Sequence, residues 1–227
     1  MTQSIKALMR LLSDHADPDY APKMQADMKS EMPFLGIRAP QLRQLCKAFY
    51  AECTFADFSA WCDFVLPLWR DAEYREERHA ALELCGHKVS KPFQTLEVLP
   101  IYEEFVVTGA WWDYIDWIAA QRLGALLKTY PVDMAAEMRR WSLSDDMWKR
   151  RSAILCQLKS KADTDFGLLH DCMAPAMSSK EFFLRKAIGW ALRTYARIEP
   201  ELVLDYVRQY DAELSPLSKR EALKHLK

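Results

Sequence analysis

The chain has 227 residues, half of them apolar and 28% charged, with a net charge of −1. That balance excludes a disordered or collagen-like polymer, and no apolar run approaches the ~18 residues of a membrane span, so one globular domain over residues 1–227 is expected. A total charge near zero also argues against a partner as acidic as DNA, unless positive charge is concentrated locally.

At the start of the chain, Met1–Leu12 carries Lys6 and Arg10 where a signal peptide would be apolar, so a cytoplasmic location is expected. Pro18, Pro22, Pro33 and Pro40 punctuate the next stretch, because proline is tolerated in a helix's first turn and not in its interior. Phe55–Trp69, Ala72–Lys88 and Pro92–Val107 place apolar residues at three- and four-residue steps, which predicts amphipathic helices. Pro131, Pro175, Pro200 and Pro216 mark later breaks, and Phe182–Tyr195 repeats the helical spacing. Ser178 with Glu181 and Ser218 with Glu221 have capping-box spacing, and Ser215 before Pro216 marks a first turn.

Glycine is scarce, with six residues, and no segment sustains the alternation of a strand. About a dozen helices joined by short loops predict an all-α fold. It is expected to be an α-α superhelix of stacked antiparallel helix pairs, HEAT-like repeats with a concave face, although an irregular helical bundle gives the same pattern. The cysteines, Cys46, Cys53, Cys62, Cys85, Cys156 and Cys172, show no paired short spacing, so neither a disulfide framework nor a zinc site is expected. No metal and no cofactor are expected, and the thiols read as small buried side chains.

Charge is distributed unevenly. Lys and Arg number 12 against 16 Asp and Glu over residues 1–110, but 19 against 16 over residues 111–227. Lys149, Arg150, Arg151, Lys159 and Lys161 occur with no acid between them, and Lys180, Arg185, Lys186, Arg193 and Arg197 share their stretch with Glu181 alone. These are candidate phosphate contacts; a solvated helix face is the competing reading.

Three segments carry potential chemistry. In Trp111-Trp112-Asp113-Tyr114-Ile115-Asp116-Trp117, residues 112 and 116 are one helical turn apart, so an indole and a carboxylate share a face suited to a cationic ligand. Core packing of Trp112, with Asp113 and Asp116 as first-turn acids, explains the same residues. In Trp148-Lys149-Arg150-Arg151, a basic face is expected. Neighbouring helical residues diverge by about a quarter turn, so one of Arg150 and Arg151 is available to pair with a carboxylate and the other to hold a phosphate. In the third, Trp190 lies four residues after Lys186 and three before Arg193, an aromatic within a basic stripe or, equally, a core residue. Gly189 beside it weakens the helix, which close approach of another helix or a ligand would explain.

Together these segments resemble the DNA alkylation repair enzymes of the AlkD type, a HEAT-like-repeat family of DNA glycosylases. The matching blocks are Leu35-Gly36-Ile37-Arg38-Ala39-Pro40, Trp111-Trp112-Asp113, Arg151-Ser152-Ala153-Ile154-Leu155, Lys186-Ala187-Ile188-Gly189-Trp190 and Leu214 to Ala222. The resemblance implies a concave DNA-binding face on which Trp112 and Trp190 face the damaged nucleotide, Asp116 is the catalytic carboxylate and Arg151 meets the DNA backbone; from the basic clusters, Arg150, Lys159, Lys186 and Arg193 are further candidate DNA contacts. It implies a monomeric base-excision enzyme acting on double-stranded DNA. Such an enzyme hydrolyses the N-glycosidic bond of cationic purines such as 7-methylguanine and 3-methyladenine, and bulkier adducts, without a metal. The alternatives are a non-catalytic helical scaffold and a damaged-DNA binder.

Overall fold

The computed structural model of the protein describes residues 4–226, whose regular structure is entirely helical. The chain divides into two compact units, residues 1–101 and 102–227.

In the first unit, α1 (Ile5–Ser13), α2 (Ala21–Met28), α3 (Ala39–Ala51), α4 (Phe58–Arg70) and α5 (Arg75–Gly86) surround a core that includes Leu8, Leu12, Tyr50, Trp61, Leu68 and Trp69. The N-terminal stretch read for a signal peptide is an amphipathic helix capped by Ser4, with residues 1–3 outside the described residues. The Leu35-Gly36-Ile37 block serves packing. Glu76, only 1% exposed, accepts hydrogen bonds from the backbone N–H groups of all three residues, so its buried charge is compensated. Gly36 has φ of 91°, and a Cβ there would stand 2.1 Å from the Asp17 carbonyl oxygen, so no other residue fits. Expectation and structure part after α5. Pro92 does not open a long helix; 3-10 turns at Lys88–Phe93 and Leu96–Val98 precede α6 (Leu99–Gly109), because Pro92 cannot donate to an α-helical ladder.

In the second unit, α7 (Trp112–Trp117) runs through a π-helical turn, Ile118–Leu123, into α8 (Gly124–Thr129) without a break. There follow α9 (Pro131–Ser142), α10 (Met147–Leu155), α11 (Phe166–Met173), α12 (Phe182–Tyr195), α13 (Pro200–Gln209) and α14 (Pro216–Ala222). Helix α9 packs on α10 and α11, α10 on α12, and α12 on α14, the neighbour-on-neighbour packing of an α-α repeat fold. Proline begins α9, α13 and α14 as its fixed φ favours. Two expected capping boxes are not formed. Glu181 is itself the cap residue of α12, and Ser218 lies inside α14, donating its N–H to the capping hydroxyl of Ser215. Gly189 has its explanation here: a Cβ would come within 2.5 Å of the Glu221 Cβ and 2.8 Å of the Ser218 carbonyl oxygen, so α12 and α14 touch backbone to backbone. All six cysteines are free thiols, and five are buried, Cys62 being the partly exposed one. Burial pushes the thiols of Cys46 and Cys172 up to about 12 and that of Cys53 to about 11. No helix among the described residues is long and apolar enough to cross a membrane.

Candidate active site

Ala110, with φ of 41°, holds the left-handed conformation unusual for a residue with a side chain and turns the chain into α7. Trp111 follows as the extended cap residue and Trp112 is the first helical residue, 39% exposed. One turn later Asp116 leaves the same helical face, with its side chain only 13% exposed.

Asp116 meets Arg151 of α10 in a two-pronged ion pair: Nε donates to Oδ1 at 2.7 Å and Nη2 to Oδ2 at 2.9 Å. The fork geometry of guanidinium and carboxylate makes this the strongest class of side-chain hydrogen bonding. Arg151 Nη1 donates to the backbone carbonyl of Phe183 at 2.5 Å, so one guanidinium ties α7, α10 and α12 together. The pair is walled by aromatic rings. The guanidinium lies 5.7 Å from the centre of the Phe183 ring, which packs against Trp148 at 4.9 Å and Trp111 at 6.0 Å. Burial raises the Asp116 carboxyl above its ordinary value, the hydrogen bonds and charge of Arg151 pull it back, and Asp113 pushes it up again. The net direction is upward, with the permanently charged guanidinium favouring the ionised form against burial. Each Asp116 oxygen retains a lone pair beyond the one given to Arg151, so the group still has capacity to act.

Trp190 is half-buried on α12, seven residues beyond Phe183; two turns of helix put it on the same face, about 10 Å along the axis. It is flanked by Lys186 and Arg193, and both cations are held by one carboxylate. Lys186 Nζ lies 2.8 Å from Glu221 Oε1, and Arg193 Nη1 lies 2.5 Å from Glu221 Oε2.

The basic residues singled out from the sequence are anchored to the protein. Arg151, expected at the DNA backbone, is the member of its pair that takes a carboxylate, and its side chain is 5% exposed. Two of its five N–H groups remain for other partners. Arg150 donates to the Pro175 carbonyl at 2.8 Å, and Lys159 donates to Gln121 Oε1 at 2.6 Å. The expected basic face on the Lys149-Arg150-Arg151 run is not formed. Lys149 is 8% exposed, paired with Glu103 and placed 5.2 Å over the Trp141 ring, so two of the three charges point inward to partners of their own.

Sequence reasoning did not find Glu221, the Phe183 carbonyl or the aromatic wall of Trp111, Trp148 and Phe183. The spacing of Ser218 and Glu221 suggests a cap, but Glu221 instead reaches α12 through the room left by the missing Cβ of Gly189. Among the described residues no three His, Cys, Asp or Glu side chains are grouped so as to hold a metal ion.

A helical-repeat protein presenting a buried, forked carboxylate–guanidinium pair beside an exposed indole is the class these features define. The particular family is given by comparison: residues 8–226 match the DNA alkylation repair enzyme family, and the chain belongs to it. Among solved structures it is similar to a predicted DNA alkylation repair enzyme from Enterococcus faecalis, at 28% identity and a TM-score of 0.84, over 93% of this chain and 96% of the other. No curated protein gives a significant sequence match.

Proposed function

We propose that this protein is a DNA glycosylase that hydrolyses the N-glycosidic bond of cationic alkylated purines, 7-methylguanine and 3-methyladenine among them, in double-stranded DNA. The reading takes residues 1–227 as one repair domain, since the family match crosses the division at residue 101. The observation that carries it is the Asp116–Arg151 pair: a carboxylate fixed in direction, largely shielded from water, one helical turn from an exposed indole.

The chemistry asks little of such a site. Alkylation at N7 or N3 gives the purine a positive charge, so when the N-glycosidic bond breaks its electron pair neutralises the departing base. No acid is needed to protonate the leaving group, and no metal ion is needed to polarise it. Charge develops instead on the deoxyribose, as an oxocarbenium ion, and Asp116 is oriented to stabilise that charge before it appears. Water then adds at C1′ and gives up a proton, for which the remaining lone pairs of Asp116 are acceptors. Trp112 and Trp190 offer indole faces, the surfaces that best attract a cation. Arg151 acts first on Asp116, which it holds in place, and has two N–H groups left for a backbone phosphate.

Incubating the purified protein with methylated duplex DNA and analysing the released bases tests this directly. Release of 7-methylguanine is expected, with loss of at least about a hundredfold in Asp116→Asn while DNA binding persists. DNA binding without base release by the wild type would make the protein a damaged-DNA binder instead.

A further inference from the structure

We propose that Glu221 is a positioning residue that holds Lys186 and Arg193 on the two sides of Trp190 as a preformed seat for one phosphate of the DNA backbone, and that it sets the seat's charge at +1. The proposal rests on the DNA-binding reading above and adds a residue and a function to it.

The geometry is that of a built site. Lys186 and Arg193 are long side chains with 37% and 21% of their surface exposed, so each reaches solvent while its charged end is fixed by Glu221. Glu221 itself is 14% exposed and arrives from α14 through the space left by Gly189. Its carboxyl is held below the ordinary value, first by the hydrogen bond from Lys186 and then by the charges of both cations, so it is ionised wherever the protein is folded near neutrality. Two cations and one anion leave a single positive charge, matched to one phosphodiester. Residues four before and three after Trp190 lie one turn to either side of it along one helical face, so a phosphate taken by the N–H groups that Glu221 leaves free would lie on the Trp190 side of α12. Unconstrained lysine and arginine would have to be ordered when DNA binds; here Glu221 orders them beforehand.

Such an arrangement separates two effects that a simple packing role would not. Replacing the anion with a neutral isostere frees a full charge for phosphate, which strengthens the salt dependence of binding. It also releases the two cations from their places, which lowers the rate at which bound substrate reacts. In Glu221→Gln, the slope of log K against log salt for a short unmodified duplex should therefore steepen by about 0.9, the value for one additional phosphate neutralised. Single-turnover release of 7-methylguanine from saturated enzyme should fall roughly tenfold, as expected when positioning groups lose their register.

The slope is read on folded protein, checked by thermal melting. Lys186→Gln, measured in the same titration, should be shallower than wild type by about 0.9, and provides the reading if Glu221→Gln does not fold. An unchanged slope in the folded variant under test overturns the proposal. If the wild type binds duplex DNA but releases no base, the glycosylase reading fails while the slope still decides the role of Glu221.

Discussion

Arg151 carries more of the architecture than its neighbours in sequence suggest. Its guanidinium neutralises Asp116 and caps the Phe183 carbonyl from a position 5% exposed to solvent. Removing one member of a pair so buried leaves the other charged and desolvated, which costs far more than the net value of the pair. Arg151→Met should therefore lower stability by about 3 kcal/mol in thermal or urea denaturation. Asp116→Asn added to it should restore part of that loss, because the uncompensated charge is gone. Equal losses in the single and double variants would show that Asp116 does not depend on Arg151. The four-residue spacing made the Trp112–Asp116 relation legible, because it is local. The sequence offered either Arg150 or Arg151 to a carboxylate but did not link that carboxylate to Asp116, since it does not say where α7 lies against α10.

At the scale of helices, α12 was legible to the residue, Phe182–Tyr195, because its apolar spacing continues unbroken between Glu181 and the turn after Tyr195. The stretch after α5 was not, because Val89, Pro92 and Phe93 keep a helix-like spacing while Pro92 removes the donor that an α-helix requires there. The π-helical turn between α7 and α8 left no mark in the apolar pattern either, since it adds a residue without changing which side chains are apolar. The contact of α12 with α14 gives the sharpest test at this scale. Gly189→Ala should raise helix propensity by about 1 kcal/mol. It should still destabilise the protein, because its Cβ would stand 2.5 Å from the Glu221 Cβ and 2.8 Å from a backbone oxygen that cannot swing away. A melting temperature above that of the wild type would contradict the close approach of the two helices.

For the molecule as a whole, charge counts placed the excess of basic residues in the second half of the chain and overstated how much of that charge is at liberty. All five basic residues taken as DNA contacts, Arg150, Arg151, Lys159, Lys186 and Arg193, have partners within the protein. Counting along a sequence cannot show this, because the partners Asp116, Gln121 and Glu221 lie between 28 and 38 residues away. The fold class was legible for the opposite reason: proline positions and apolar spacing are properties of the chain itself.

The state of the sulfur atoms bears on the conditions under which a protein of this family works. Electrophiles that methylate purines also attack thiolates, and a thiol held near 11 or 12 is almost wholly protonated at neutral pH. Native protein treated with iodoacetamide at neutral pH should therefore gain label slowly and chiefly at Cys62, the half-open position, whereas urea-unfolded protein should label at all six. Rapid labelling of Cys46 or Cys172 in the folded state would refute this. The same burial that builds the core thus leaves five of the six thiols with little thiolate to offer an electrophile in the folded state.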